Sequence, residues 1–363
     1  MQYEYLKIIG LMSGTSMDGI DISFVRTNGL ELERLNKNYF YEYNITTKKK
    51  LMNILNQEIN YNLKRKQYLD EFITNEHYLA LKDLDIVEKC DLIGFHGQTL
   101  YHNPAQKVSI QLGNAKILSK KLNKNVVFDF RSNDLALGGQ GAPLAPIYHK
   151  LIIENLNLDT PSCIINIGGV SNLTYWDGKN LLGFDIGPGN ALMDDYSKVI
   201  MNKNFDNNGY FASQGFPIKE EVKKFLQHDF FKKLPPKSLD RNSFAMIYKK
   251  LIKKKYSAKD IMATLLEFTL ESIKISLQML PLPVKNILIT GGGHKNLYLI
   301  NQLSKKLKLN FLNEKDLGLD FDFIEAELIA YLSARALYKL PFTFPSTTGV
   351  LKPSSGGNHY KCS

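Results

Sequence analysis

Cysteine is scarce in this sequence. Cys90, Cys163 and Cys362 are the three in 363 residues, they lie far apart, and they form no C-x-x-C pair. That favours a reducing cytoplasm over a disulfide scaffold. No stretch approaches the ~18 consecutive apolar residues of a membrane span. The opening MQYEYLKIIGLMSG has no basic segment leading into an apolar one, so no secretory leader is expected. The phosphate-loop pattern G-x-x-x-x-G-K-[ST] is missing, as is G-x-G-x-x-G between a strand and a helix, which disfavours both a P-loop and a dinucleotide fold. Acidic residues are outnumbered, 36 against 46 Lys and Arg, for a net charge of +10. The excess lysine is diluted along the chain and dense only over Lys232–Lys255, without the aromatic interleaving or Cys/His spacing of a nucleic-acid binder. That stretch reads as a solvated helix face.

What is present has the alternation of an α/β protein. Tyr5–Met12 is apolar, a turn rich in Gly and Ser follows, and Ile20, Ile22 and Phe24 then alternate with Asp21 and Ser23 as in a half-buried strand. Residues 46–90 carry helical signals. Short strands are expected at Asp91–Phe95 and Asn125–Phe130, and a loop at Gly138–Pro143. Cys163–Ile167, a Gly-Gly turn and Leu173–Trp176 repeat the N-terminal layout, a weak internal duplication that points to two similar lobes. Leu181–Phe184 and Lys285–Thr290 are further strands, each running into glycines and then a helix. Glu325–Leu337 reads as a helix rich in Ala and Leu, and Ser354–Ser363 as a loose tail.

Four strand ends carry glycine-rich turns, at 13–19, 168–172, 187–190 and 291–293. Glycine lets backbone N–H groups approach a ligand together, and clustered N–H groups attract anions. One such turn closes any hairpin; four at strand ends point to a nucleotide site. A phosphate turn inside a hairpin, doubled in the second half, is the layout of the actin and hexokinase superfamily.

GLMSGTSMDGID (10–21), HGQTLYHNP (96–104), DFRSNDLALGGQGAPL (129–144), INIGGVSN (165–172), FDIGPGN (184–190), TGGGHKN (290–296), IEAE (324–327) and PSTTG (345–349) occur in this order. Together they closely resemble the bacterial anhydro-N-acetylmuramic acid kinases. Ile186 stands where that family usually has threonine, and Glu327 where an uncharged residue is common.

The resemblance implies a two-lobed actin/hexokinase-like (ribonuclease H-like) α/β fold with ATP in the cleft between lobes. Lobe I is expected over 1–130 plus about 336–363, lobe II over 131–335. The implied activity uses ATP, Mg²⁺ and water to open 1,6-anhydro-N-acetylmuramic acid and phosphorylate its 6-oxygen, in peptidoglycan recycling, by a cytoplasmic homodimer with no nucleic-acid or membrane partner. Asp185 is the implied base; an aspartate before a helix also serves as a cap, and the family motif decides for catalysis. The ATP phosphates are expected at Gly14, Thr15, Ser16, Met17, Asp18, Gly19, Ile20 and Asp21, with Gly168, Gly169, Asn172 and Gly187 as the second loop and Gly291, Gly292 and Gly293 beside adenosine. Asp18 and Asp21 are equally turn residues or water-mediated partners of Mg²⁺. The sugar is expected at His96, Gln98, Arg131, Asp134 and Glu325, the arginine fork suiting the lactyl carboxylate. The spacing of His96 and His102 fits no zinc motif. Two rival readings are a plain sugar kinase of the same superfamily and a non-catalytic, actin-like ATP-binding protein.

Overall fold

In a computed structural model, residues 3–14, 17–55, 63–239, 241–309 and 311–362 are described. Thr15 and Ser16 of the first glycine turn lie outside them. The chain divides into two α/β units, Met1–Tyr148 with Asp322–Ser363, and His149–Phe321. These cuts fall at 148 and 321, where the sequence suggested 130 and 335.

The first unit is built on a sheet of β1 (Leu6–Ser13), β2 (Gly19–Thr27), β3 (Leu32–Glu42), β4 (Leu92–Asn103), β5 (Val108–Leu112), β6 (Asn125–Phe128) and β11 (Asn358–Tyr360), in the order β11-β6-β4-β1-β2-β3 with β5 on β4. β1, β2 and β3 form an antiparallel meander, and β1, β4 and β6 run parallel. The helix Ile324–Leu337 lies across this sheet. Gly10 of β1 and its partner Gly94 of β4 permit the approach: a Cβ at Gly10 would stand 1.9 Å from the Ala326 carbonyl oxygen, and one at Gly94 2.3 Å from Ser333 Oγ. That packing explains why the returning chain joins the first unit at 322.

The second unit holds β7 (Ser162–Ile167), β8 (Val170–Trp176), β9 (Leu181–Pro188) and β10 (Asn286–Thr290), in the order β10-β7-β8-β9. β7, β8 and β9 again form an antiparallel meander, and β10 again pairs parallel with the first of its strands. The two sheets thus share one wiring, and the duplication hinted at by the glycine turns is a duplication of topology. The helix Ala258–Leu277, capped by Ser257 Oγ accepting the Asp260 N–H at 3.1 Å, packs on β9 through Ser276 and on Gly189 just beyond it through Thr269. Phe225, Phe230, Phe231, Phe244 and Phe268 fill the space around it.

Three readings need correction. The segment expected to end at Phe95 continues as β4 to Asn103 and folds back through β5. Ser23, expected on the solvent side of its strand, is buried and donates to Asn38 Oδ1 on β3 at 2.7 Å, because it pairs with Gly10 on the face that the helix Ile324–Leu337 covers. The tail is not loose: Asn358–Tyr360 pairs antiparallel with β6 and closes the sheet's edge.

Candidate active site

In the first unit, the expected residues gather at the carboxyl ends of the parallel strands, where open α/β sheets bind ligands. Ser13 ends β1 and pairs in register with Gln98 of β4. Arg131 follows β6, and Glu325 sits in the first turn of the helix over the same end of the sheet.

The glycine turn after β1 is braced from both sides. Ser13 Oγ donates to Gln98 Oε1 at 2.6 Å and accepts the Tyr43 hydroxyl at 2.9 Å, while Gln98 Nε2 donates to the Gly14 carbonyl at 3.2 Å. The Tyr43 N–H donates to the Asp18 carbonyl at 2.9 Å, so Tyr43 holds both ends of the turn. Burial pushes its phenol well up, which keeps the hydroxyl a donor. Met17, inside the turn, adopts φ 56°, a left-handed conformation uncommon for a side chain of its size.

His96 is buried and neutral. Burial and the Arg131 charge push its pKa down to about 3. Its Nδ1–H donates to the Gly97 carbonyl at 3.0 Å, which leaves Nε2 to accept from Arg131 Nη2 at 3.2 Å and Nε at 3.4 Å. Arg131 Nη1 donates to the Gly141 carbonyl at 2.7 Å. Asp134, also expected on the sugar, is turned to the same loop: Oδ2 accepts the Gly141 N–H and Oδ1 the Thr348 hydroxyl, each at 2.7 Å. Gln98 and Asp134 therefore shape the loops, while Arg131 and Glu325 stand at the strand ends.

In the second unit, three glycine turns meet at the carboxyl ends of β7 and β10. A Cβ at Gly291, where φ is +71°, would stand 2.1 Å from Asn166 Oδ1, and one at Gly293 2.4 Å from Ile167 Cγ2. The Gly168 carbonyl accepts the Asn190 N–H at 2.7 Å, and the Gly169 carbonyl those of Gly189 and Ala191 at 3.0 and 3.3 Å. The Gly189, Asn190 and Ala191 amides at the start of the helix Ala191–Met201 are thus engaged within the protein.

Asp185 lies one step from these turns. It pairs in register with Asn172, beside a register shift in β8, and is 7% exposed. Its Oδ2 accepts the Leu239 N–H at 2.7 Å, and its own N–H donates to the Lys237 carbonyl at 2.9 Å. The Asn172 side-chain oxygen is buried without a hydrogen-bond partner among the described residues. A carboxylate and an amide oxygen at the rim of glycine turns can orient a water and take its proton.

The family model of the anhydro-N-acetylmuramic acid kinases matches residues 6–362. The chain belongs to that family. A Rhodopseudomonas palustris protein named anhydro-N-acetylmuramic acid kinase is 40% identical over 97% of this chain and 98% of its own length. Proteins of the same name from Paramagnetospirillum magneticum and Pelagibacter ubique are each 36% identical, covering 97% and 98% of this chain and 99% and 98% of their own lengths. Among solved structures, a xylulose kinase from Lactobacillus acidophilus is similar at 9% identity and TM-score 0.42 over 92% of this chain and 89% of its own, a distance at which the likeness adds nothing. Membership makes the chain a kinase. No helix among the described residues is long and apolar enough to cross a membrane.

The chain carries groups beside these turns and beside Asp185 that its sequence motifs did not single out. Tyr43 and Leu239 act through backbone and hydroxyl groups that leave no residue-type signature. Lys237 falls in the stretch read as a solvated face; it is 4% exposed, although its neighbours Lys232 and Lys233 are exposed. The flanking Pro235-Pro236, which interrupts any helix there, was the available signal.

Proposed function

We propose that the chain opens 1,6-anhydro-N-acetylmuramic acid with water and transfers the γ-phosphoryl group of ATP to the freed 6-oxygen, in the cytoplasm, as a step of peptidoglycan recycling. The observation that carries this reading is the buried Asp185 carboxylate, held by the Leu239 amide at the rim of the converged glycine turns.

Water attacks the anomeric carbon as Asp185 takes its proton. The bond from that carbon to the 6-oxygen breaks, and the 6-oxygen forms its new bond to the γ-phosphorus in line with the departing ADP, giving N-acetylmuramic acid 6-phosphate. Proton removal by a positioned carboxylate is worth ~10²–10⁴-fold in rate. Gly14, Met17, Gly19 and Ile20 of the first unit, with Gly168, Gly169, Asn172 and Gly187 of the second, hold the phosphates in this reading, and Gly291, Gly292 and Gly293 flank adenosine. Thr15 and Ser16 supply hydroxyls to the same turn. Arg131 and Glu325 bind the sugar, with His96, Gln98 and Asp134 setting their surroundings. The donor set beside the first turn, exposed Asp18 and half-buried Asp21, suits Mg²⁺, which takes one or two carboxylates with substrate phosphates and neutralises phosphate charge when bound. The working form proposed is a homodimer.

The test is ATP consumption by purified protein with and without the anhydro sugar, run in ¹⁸O-water. Label at the anomeric position supports hydrolytic opening; unlabelled product supports a plain sugar kinase. Asp185→Asn should bind ATP normally and turn over ~10²–10⁴-fold more slowly. Near-normal turnover by that variant removes Asp185 from the mechanism.

A further inference from the structure

A lysine rarely lies buried unless paired. Lys237 is 4% exposed, its Nζ donating to the Phe230 carbonyl at 3.2 Å and lying 3.8 Å from Met279 Sδ. The ammonium stands 4.6 Å from the Phe230 ring centroid and 5.9 Å from that of Phe184, the residue before Asp185. Burial drives its pKa down to about 8, and the Asp185 charge opposes that fall. The other charged groups on the packed elements face outward: Asp229 pairs with Lys232 at 3.2 Å, and Lys274 with Glu271 at 3.9 Å. Among the described residues, Asp185 is the charge acting on this ammonium.

The backbone around Lys237 is tied to the same aspartate. β9 is the last strand of its sheet, and the segment 237–239 runs along its outer edge: the Lys237 carbonyl takes the Asp185 N–H and the Leu239 N–H takes Asp185 Oδ2. One short segment thus contacts Asp185 through main chain on both sides and through the field of a buried cation.

We propose that Lys237 is a positioning residue for Asp185: its buried ammonium anchors the 237–239 segment along β9 and holds the neighbouring carboxylate in its ionised, proton-accepting form. The proposal rests on Asp185 being the base. An ammonium in an aromatic pocket works against stability, since an apolar side chain of the same length would fill the space without losing hydration. The charge thus stands there at the expense of stability.

The experiment compares Lys237→Met, Lys237→Arg and Asp185→Asn in the full-length protein. Lys237→Met should unfold at the same temperature as the parent or higher, yet show kcat reduced about tenfold or more with the KM for ATP unchanged. The acid limb of its kcat/KM profile should move to higher pH by about one unit, because a carboxylate that loses a nearby cation holds its proton more tightly. Lys237→Arg should return that limb towards its original position. A Lys237→Met enzyme with the parent's kcat and acid limb, or one whose activity falls only in step with its stability, overturns the proposal. If Asp185→Asn is inactive in that case, the base assignment survives; if Asp185→Asn stays active, the base assignment itself fails.

Discussion

His96 Nε2 accepts the guanidinium of Arg131, at 3.2 Å from Nη2 and 3.4 Å from Nε. A protonated imidazole would have no acceptor to offer there and would repel the arginine, so the pair exists only with His96 neutral. Its other nitrogen is fixed as a donor by the Gly97 carbonyl. His96 is thus a holder for Arg131 and takes no part in proton transfer near neutral pH.

Removing that holder should be felt by the sugar. His96→Phe keeps the ring volume and deletes the acceptor. A hydrogen bond to a charged group contributes about 1.5–3 kcal/mol, so the KM for the anhydro sugar should rise about tenfold or more while the KM for ATP stays within about twofold. Steady-state kinetics with each substrate varied in turn checks this; an unchanged sugar KM would detach Arg131 from the substrate.

Acid stability follows from four histidines buried as neutral groups. Burial, with the Arg131 charge adding to it at His96 and His102, lowers His77 and His102 to about 4 and His96 and His149 to about 3. Below the unfolded value of ~6.5 the unfolded chain binds protons that the folded chain refuses. Stability is therefore full above ~6.5 and falls as pH drops towards 4, each histidine adding a slope of about 1.4 kcal/mol per pH unit in that window. Urea midpoints between pH 8 and 5 should show a steep fall beginning near 6.5; a flat profile would contradict neutral burial.

The first glycine turn should loosen when Tyr43 loses its hydroxyl. Tyr43→Phe leaves the backbone bond to Asp18 and the ring packing in place, removing only the bond to Ser13 Oγ. One hydrogen bond is worth about 1 kcal/mol. The KM for ATP should rise about fivefold with the sugar KM unchanged, and isothermal titration with a non-hydrolysable ATP analogue reads the binding directly.

Gly10→Ala should be severe out of proportion to one methyl group. The added carbon would meet the Ala326 carbonyl oxygen at 1.9 Å and the Ala330 nitrogen at 2.8 Å, both helix backbone that cannot rotate away. Displacing the helix Ile324–Leu337 costs about 3 kcal/mol or more, a loss that differential scanning calorimetry would report as a fall in Tm of several degrees.

The sequence disclosed those parts of the fold that alternate strongly or sit beside glycine. β1, β7 and β10 are apolar runs ending in Gly-rich turns, and both the strands and the convergence of the second unit's turns could be anticipated. β3 could not be read the same way. Its residues are half-buried or exposed on both faces, so LERLNKNYFYE carries little period of two. β11 is three residues of polar chain that become a strand only because β6 offers an edge. Among the residues of the proposed site, Asp185 and Arg131 could be named from the family motifs. Their supports could not, because the Leu239–Asp185 and Tyr43–Ser13 bonds join segments 30 or more residues apart, and the burial of Lys237 depends on distant Phe184 as well as on nearby Phe230.

Arg34 of β3 binds Glu327 with Nε at 2.8 Å from Oε1 and Nη2 at 3.0 Å from Oε2, and the Tyr148 hydroxyl donates to the same Oε2 at 2.5 Å. Neither charge can be withdrawn alone without stranding the other in a poorly solvated place. The pair thus pins the helix Ile324–Leu337 to a strand nearly three hundred positions earlier in the chain.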